Sequence, residues 1–125
     1  MIRTFSIGML FAFLASSCYE PTRDCATFKD GEFTFTSTLD GEEITTRFVR
    51  KGDLEVDYFK GTIDSSSVRW INDCEFIVKK IHPKRKAEEK SIHMKILTTT
   101  DNSYTFEYSI VGDNNKSKGI AIKIN

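Results

Sequence analysis

The sequence predicts an all-β fold: an antiparallel up-and-down meander of about eight strands, closing into a small lipocalin-like barrel or a strongly curved sheet, with one short helical or loop segment. Three observations carry that expectation. Polar and apolar residues alternate along most of the chain beyond its N-terminal segment, the period of a strand with one buried face. Glycines and Asn/Asp pairs interrupt the alternation where hairpin turns need them. No long 3.6-residue periodicity follows the N-terminal segment.

The first element in chain order is not a strand. Arg3 supplies a positive charge, Phe5 to Leu14 is almost wholly apolar, and Ala15-Ser16-Ser17 is a small-residue exit. Together they describe a secretory signal over residues 1–17. Its apolar core of about ten residues is half the roughly twenty that a membrane-spanning helix needs. "LASSC" ends in Cys18 and resembles the lipobox of bacterial lipoproteins, with Ala15 and Ser17 at the two selective places. That resemblance implies diacylglyceryl transfer to Cys18, which becomes the mature N-terminus and the partner of the membrane. The alternative is a secreted protein cut near Ala15 or Ser17 with Cys18 left as a thiol. Two or more acyl chains hold where one exchanges, at about 0.8 kcal/mol per buried methylene. Residues 18–24 then form a lipidated tether, and residues 25–125 a single β-domain. Tyr19 follows the cysteine in place of the aspartate that retains some lipoproteins in the inner membrane. A cell-envelope location, at the outer membrane, is therefore expected; the leaflet stays open.

The strands follow in order. "GEFTFTST" alternates Phe33 and Phe35 with threonines, and Asp40-Gly41 supplies a hairpin turn. "EITTRFVR" places Ile44, Thr46 and Phe48 on one face. "KGD" turns the chain, and "LEVDYF" is read with Leu54, Val56 and Tyr58 inward, Glu55 and Asp57 outward. "KGTIDSSS" is read as a loop before "SVRWI" and "CEFIVKKI". Only "HPKRKAEEKS", residues 82–91, breaks the pattern and is expected to hold a turn or two of helix starting near Pro83. "SIHMKILT" alternates Ile92, Met94 and Ile96; "YTFEYSIV" alternates Tyr104, Phe106, Tyr108 and Ile110. "IAIKIN" closes the domain with Ile120, Ile122 and Ile124 at alternate positions. Phe, Tyr, Trp and Ile are expected to fill the interior.

The hairpin through Asn72-Asp73 offers two registers. A strict two-residue turn opposes Trp70 to Glu75, whereas a three-residue turn pairs Trp70 with Phe76 and Val68 with Val78. The second gives one apolar face and is preferred, Asn and Asp both tolerating the left-handed conformation. It leaves Ile71 and Ile77 on the other face, a patch that needs either a cover from residues 82–91 or the tether, or an envelope protein docked on it.

Removal of residues 1–17 from the 125 leaves 108, enough for one small domain. The 17 basic and 18 acidic side chains that remain argue against a nucleic-acid partner, which needs a basic surplus. With Cys18 acylated, Cys25 and Cys74 are the two internal cysteines of an exported chain and imply one disulfide. A two-cysteine metal site lacks its other ligands, since neither His82 nor His93 sits at zinc-motif spacing.

Catalytic and metal chemistry finds little support, and neither a cofactor nor a metal is expected. No G-x-S-x-G elbow is present, and Ser65-Ser66-Ser67 has no nearby histidine. Strand carboxylates such as Glu55 and Asp57 alternate with apolar residues and are read as solvated. "TTDN" and "GDNN" lack the spaced acids of a calcium loop and suit turns. The basic group Lys79, Lys80, Lys84, Arg85, Lys86 and Lys90 is either a headgroup contact or a solvated loop. Trp70, Phe76, Tyr104, Phe106 and Tyr108 are candidates for the lining of a pocket that takes a small apolar ligand or a lipid.

"RWINDCEF", read with "DCATFKDGEFTF", "FVRKGDLEVDYFKG" and the segment through "YSIVGD", resembles a family of short bacterial lipoproteins of undetermined function. The resemblance covers nearly all of the mature chain, and Cys25 and Cys74 match the family's two recurrent cysteines. Members carry the label "DNA topoisomerase IV". That activity needs an ATP-binding domain, a DNA gate and a cytoplasmic address, and 108 exported residues have room for none of them. The expectation is a non-enzymatic envelope lipoprotein.

Overall fold

Alternation assigns each strand residue to one of two walls, and in the computed structural model these are the inside and outside of a closed barrel. The structure describes residues 23–125. The expected signal segment, Cys18 and the tether as far as residue 22 lie outside the described residues. The strands are β1 (Gly31–Leu39), β2 (Glu42–Lys51), β3 (Leu54–Phe59), β4 (Thr62–Asn72), β5 (Glu75–Lys80), β6 (Ile92–Thr99), β7 (Ser103–Ile110) and β8 (Ser117–Lys123). Each pairs antiparallel with the next, and β8 returns to β1, which makes the expected lipocalin-like meander a closed barrel.

Hairpin chemistry sets the registers. Leu39↔Glu42 and Phe59↔Thr62 enclose two-residue loops, and both central residues of each loop have positive φ. That is the type I′ turn whose twist suits a hairpin, with glycine taking the second place at Gly41 and Gly61. Trp70 pairs with Phe76 and Val68 with Val78, the preferred register. The means differs from expectation: neither Asn72 nor Asp73 has positive φ. A bulge follows Trp70, and the Asn72 side-chain oxygen accepts the Cys74 backbone N–H at 2.9 Å.

Four expectations are corrected. "KGTIDSSS" is not a loop, because β4 starts at Thr62 and pairs with β3 from there through Ser67. On β3 the faces are reversed: Glu55 is buried, Leu54 is exposed, and Glu55 and Asp57 line the interior. Gly52 and Asp53 form a two-residue turn, so Arg50, on the Phe48 face, lies directly opposite Glu55. A buried guanidinium needs a counter-charge more than Leu54 needs cover. The β8 isoleucines do not fill the interior; Ile120 is 57% exposed, while Ala121 is buried. Tyr104 and Phe106 on β7 oppose Ala121 and Gly119, and a Cβ at Gly119 would lie 2.5 Å from Phe35. Small residues face in because aromatic rings already occupy the space. Finally, Lys80 leaves the basic group and points into the barrel, whereas residues 82–91 contribute one 3₁₀ turn, Lys86–Glu89.

One end of the barrel is solid. A 3₁₀ turn at Ala26–Phe28 inserts Phe28 among Phe33 and Tyr104, with the Phe28 and Tyr104 rings 5.3 Å apart. The disulfide between Cys25 and Cys74 ties this plug to the β4–β5 turn. Lys123 Nζ donates to the Thr27 carbonyl at 2.8 Å, and the Asp24 N–H donates to Thr99 Oγ1 at 2.9 Å, which seats the start of the described chain on the same end.

Candidate functional site

Toward the opposite end the aromatic side chains no longer fill the interior and a cavity of about 420 Å³ opens. Its two walls differ in chemistry. Phe35, Phe48, Met94, Phe106 and Tyr108 form an apolar wall from β1, β2, β6 and β7. Across from it, β3, β4 and β5 present Glu55, Asp57, Ser66 and Lys80. Register explains the polar wall, since Arg50, Glu55, Ser66 and Lys80 are successive cross-strand partners and make one interior row over four strands. The next row toward the mouth runs Phe48, Asp57, Asp64.

Arg50 is the floor. Its Nε donates to the Lys29 carbonyl at 3.0 Å, and its Nη1 to Glu55 Oε1 at 3.0 Å. Its Nη2 reaches the Phe28 carbonyl at 2.7 Å and the Tyr104 hydroxyl at 3.2 Å. The guanidinium also lies 4.7 Å from the Phe76 ring and 4.9 Å from that of Phe33. Burial opposes its charge, but Tyr104 and Glu55 outweigh that and hold it charged above the usual arginine range. Burial likewise pushes the Tyr104 phenol up, against the pull of Arg50. The floor is thus neutralised internally and doubles as the latch of the plug.

Asp57 is different. Burial, then the adjacent Glu55 through charge and a shared hydrogen bond, and then Asp64, push its carboxyl up to about 7, with Lys80 opposing. Among the described residues no basic side chain lies within ion-pair distance of it. The nearby cation is committed elsewhere: Lys80 Nζ sits 2.8 Å from Glu88 Oε1 and 3.6 Å from Asp64 Oδ2. Its hydrogen bond to Glu88 holds that ammonium charged above the ordinary lysine range. Asp57 can therefore gain or lose a proton near neutrality, inside a cavity.

A strap crosses the mouth. Ala87, Glu88 and Lys90 join the lining there. Glu88 fastens the strap, its Oε2 accepting the Lys84 N–H at 2.8 Å and the Arg85 N–H at 3.0 Å. Lys80, first, and these two amides hold the Glu88 carboxyl down at about 2.

Of the residues singled out in the sequence, Tyr104, Phe106 and Tyr108 line the cavity. Trp70 and Phe76 pack against each other with tilted rings, centroids 4.5 Å apart, and belong to the solid end, not to the lining. Ile71, 52% exposed, and the half-buried Ile77 lie on the outer wall. Cys25 and Cys74 are bonded, and Cys18 lies outside the described residues. The carboxylates read as solvated, Glu55 and Asp57, instead face the cavity, and Ser66, read as a loop serine, is buried in its wall. Arg50 and Lys80 complete the residues that sequence reading missed; the spacing of Arg50 and Glu55 about a two-residue turn was the available signal. Neither His82 nor His93 is in the lining, and among the described residues no three His, Cys, Asp or Glu side chains are arranged to hold a metal ion.

The fold and cavity define a lipocalin-like meander barrel, closed at one end and hollow at the other, of the kind compatible with ligand binding. No family model, no curated protein and no solved structure matches the chain.

Proposed function

We propose that this chain is a non-enzymatic lipoprotein of the bacterial envelope whose barrel holds a small, largely apolar ligand. The hollow end carries the reading. Its volume of about 420 Å³ falls within the range of roughly 300–1,000 Å³ typical of small-molecule pockets. Aromatic and aliphatic side chains supply burial, and one polar wall supplies orientation.

The address follows from Cys18 as the lipidation site. Arg23 and Asp24 are seated on the solid end, through Arg23 Nη1 to the Ile96 carbonyl and Asp24 to Thr99. Five residues of chain reach roughly 18 Å at most. An anchor at Cys18 therefore turns the plugged end toward the membrane and the strapped mouth away from it. On this reading the ligand arrives from the aqueous side.

Native mass spectrometry of gently purified protein, together with titration of an environment-sensitive apolar dye, tests the cavity. Retained small-molecule mass or saturable dye binding is expected, and Met94→Trp, which fills the apolar wall, abolishes it while the circular dichroism of the barrel persists. Dye binding unchanged in Met94→Trp would overturn the reading in favour of an outer-surface site. Docking of an envelope protein through Ile71 and Ile77 is the second reading, favoured by the exposure of Ile71. It is tested by loss of a co-purifying protein in Ile71→Asp.

A further inference from the structure

The ligand-cavity reading leaves the chemistry of the ligand's polar end open, and the polar wall answers it. We infer that the cavity takes an organic cation, a protonated amine on an apolar body, with its charged head between the Asp57 carboxylate and the Phe48 ring and its body against the wall of Met94, Phe106 and Tyr108. The inference rests on the proposed ligand cavity and adds the class of the ligand.

Cross-strand register supplies the first reason. Asp57 lies directly opposite Phe48 on β2 and directly opposite Asp64 on β4. Two like charges opposed on neighbouring strands are unfavourable. Asp64 is relieved by Lys80 at 3.6 Å, whereas Asp57 has no basic side chain within ion-pair distance among the described residues and feels Lys80 only from farther off. A cation entering the cavity supplies the counter-charge that the fold omits, and the facing aromatic ring adds its quadrupole.

Alternative ligand heads fit less well. A fatty-acid carboxylate would need an uncommitted cation within the polar wall, yet Arg50 is bound by two carbonyls, Glu55 and Tyr104, and Lys80 by Glu88 and Asp64; the remaining lining cation, Lys90, is exposed on the strap at the mouth. It would also meet the three acids of the lining, Glu55, Asp57 and Glu88. A bare metal ion would need several of those oxygens to converge, and no three such side chains among the described residues do so. The Asp57 carboxylate, without an ion pair and with the Phe48 ring opposite, suits an ammonium with carbon attached.

The proton that Asp57 holds up to about pH 7 occupies the place of the missing cation. The charged and titratable groups around it are Glu55 on its own strand, Arg50 on β2, Asp64 on β4, Lys80 on β5, Glu88 and Lys90 on the strap, and Tyr104 on β7. Amine binding displaces the proton, so affinity rises with pH through the Asp57 titration and levels off above it.

The test is isothermal titration of the purified full-length chain with octylammonium, 1-octanol and octanoate. At pH 8 octylammonium is expected to bind at least about tenfold more tightly than octanol, and octanoate more weakly than either. Octylammonium affinity falls about thirtyfold between pH 8 and pH 5.5, as a carboxyl titrating at about 7 requires. Proton release, read from the buffer dependence of the heat, accompanies binding below pH 7. In Asp57→Asn the preference for ammonium over alcohol falls to near one. If octanol or octanoate binds as tightly as octylammonium, or the affinity is flat with pH, the cationic-ligand inference is overturned and the cavity reading stands. Failure of all three probes overturns the cavity reading and this inference with it.

Discussion

Arg50 and Glu55 face each other across the two-residue turn at Gly52-Asp53, Nη1 to Oε1 at 3.0 Å, with both side chains inside the barrel. The pair sets which face of β3 points inward and so carries Asp57 into the cavity. It also joins floor to plug, since the same guanidinium binds the carbonyls of Phe28 and Lys29. One buried ion pair therefore couples strand orientation, closure of the barrel and the chemistry of the cavity.

Breaking that pair on one side leaves a buried charge without its partner, a loss of about 3–5 kcal/mol. Arg50→Ala is expected to lose that much in urea denaturation. Arg50→Lys recovers only part, because an ammonium cannot span two carbonyls, Glu55 and Tyr104 together. The double substitution Arg50→Met with Glu55→Met should be less damaging than Arg50→Ala alone, since no charge is stranded. A double variant as unstable as the single one would show that the pair matters through shape, not charge.

Stability should depend on pH in two windows of opposite sign. Asp57 has a folded value raised to about 7 from an ordinary 3.8, so the folded protein binds the extra proton between those values. Its contribution is present at low pH and is lost as pH rises toward and through 7, with a slope below about 1.4 kcal/mol per pH unit. Glu88 is lowered from 4.5 to about 2, so its contribution is present above 4.5 and is lost as pH falls toward 2. Thermal melts from pH 4 to 8 read the first effect. Asp57→Asn should flatten the decline between pH 5 and 7, and an unchanged decline would assign it to another group.

Gly119 is limited by its neighbours. A Cβ there would come 2.5 Å from Phe35 Cε2 and 2.8 Å from Phe106 Cζ. Gly119→Ala is expected to cost about 1–3 kcal/mol through overpacking. Phe35→Leu in the same chain should recover part of the loss, which a double-mutant cycle on melting temperature measures.

The disulfide closes a loop across a sequence separation of 49 and holds the plug on the β4–β5 turn. The chain-entropy relation gives it roughly 4 kcal/mol. Cys25→Ser with Cys74→Ser should lower the denaturation midpoint accordingly. Amide exchange should quicken first at Phe28 and Lys29, at the solid end.

Most of the fold was legible because hairpins announce themselves locally: Asp40-Gly41 fixes one register by turn type, and the Trp70–Phe76 pairing follows from keeping an apolar face continuous. The candidate site was less legible. Polarity alone sent Glu55 and Asp57 to solvent and made a loop of residues 62–66, because a barrel interior with a polar wall breaks the rule that polar residues face out. Extending the Phe48 face through Arg50 and across a two-residue turn would have brought Glu55 inside. The outward turn of Ile120 and Ile122 was not readable from β8, since it depends on the bulk of Tyr104 and Phe106 on the neighbouring strand.

The most direct measurement uses Met94, the one methionine of the chain beyond residue 17. Its methyl group faces the cavity and is a single reporter in a methyl-labelled sample. Titration with octylammonium is expected to move that resonance and to give ligand-to-methyl cross-relaxation, with the methyls of Ile71, Ile120 and Ile122 unmoved. An unmoved Met94 methyl, with shifts confined to those outer isoleucines, would contradict the account.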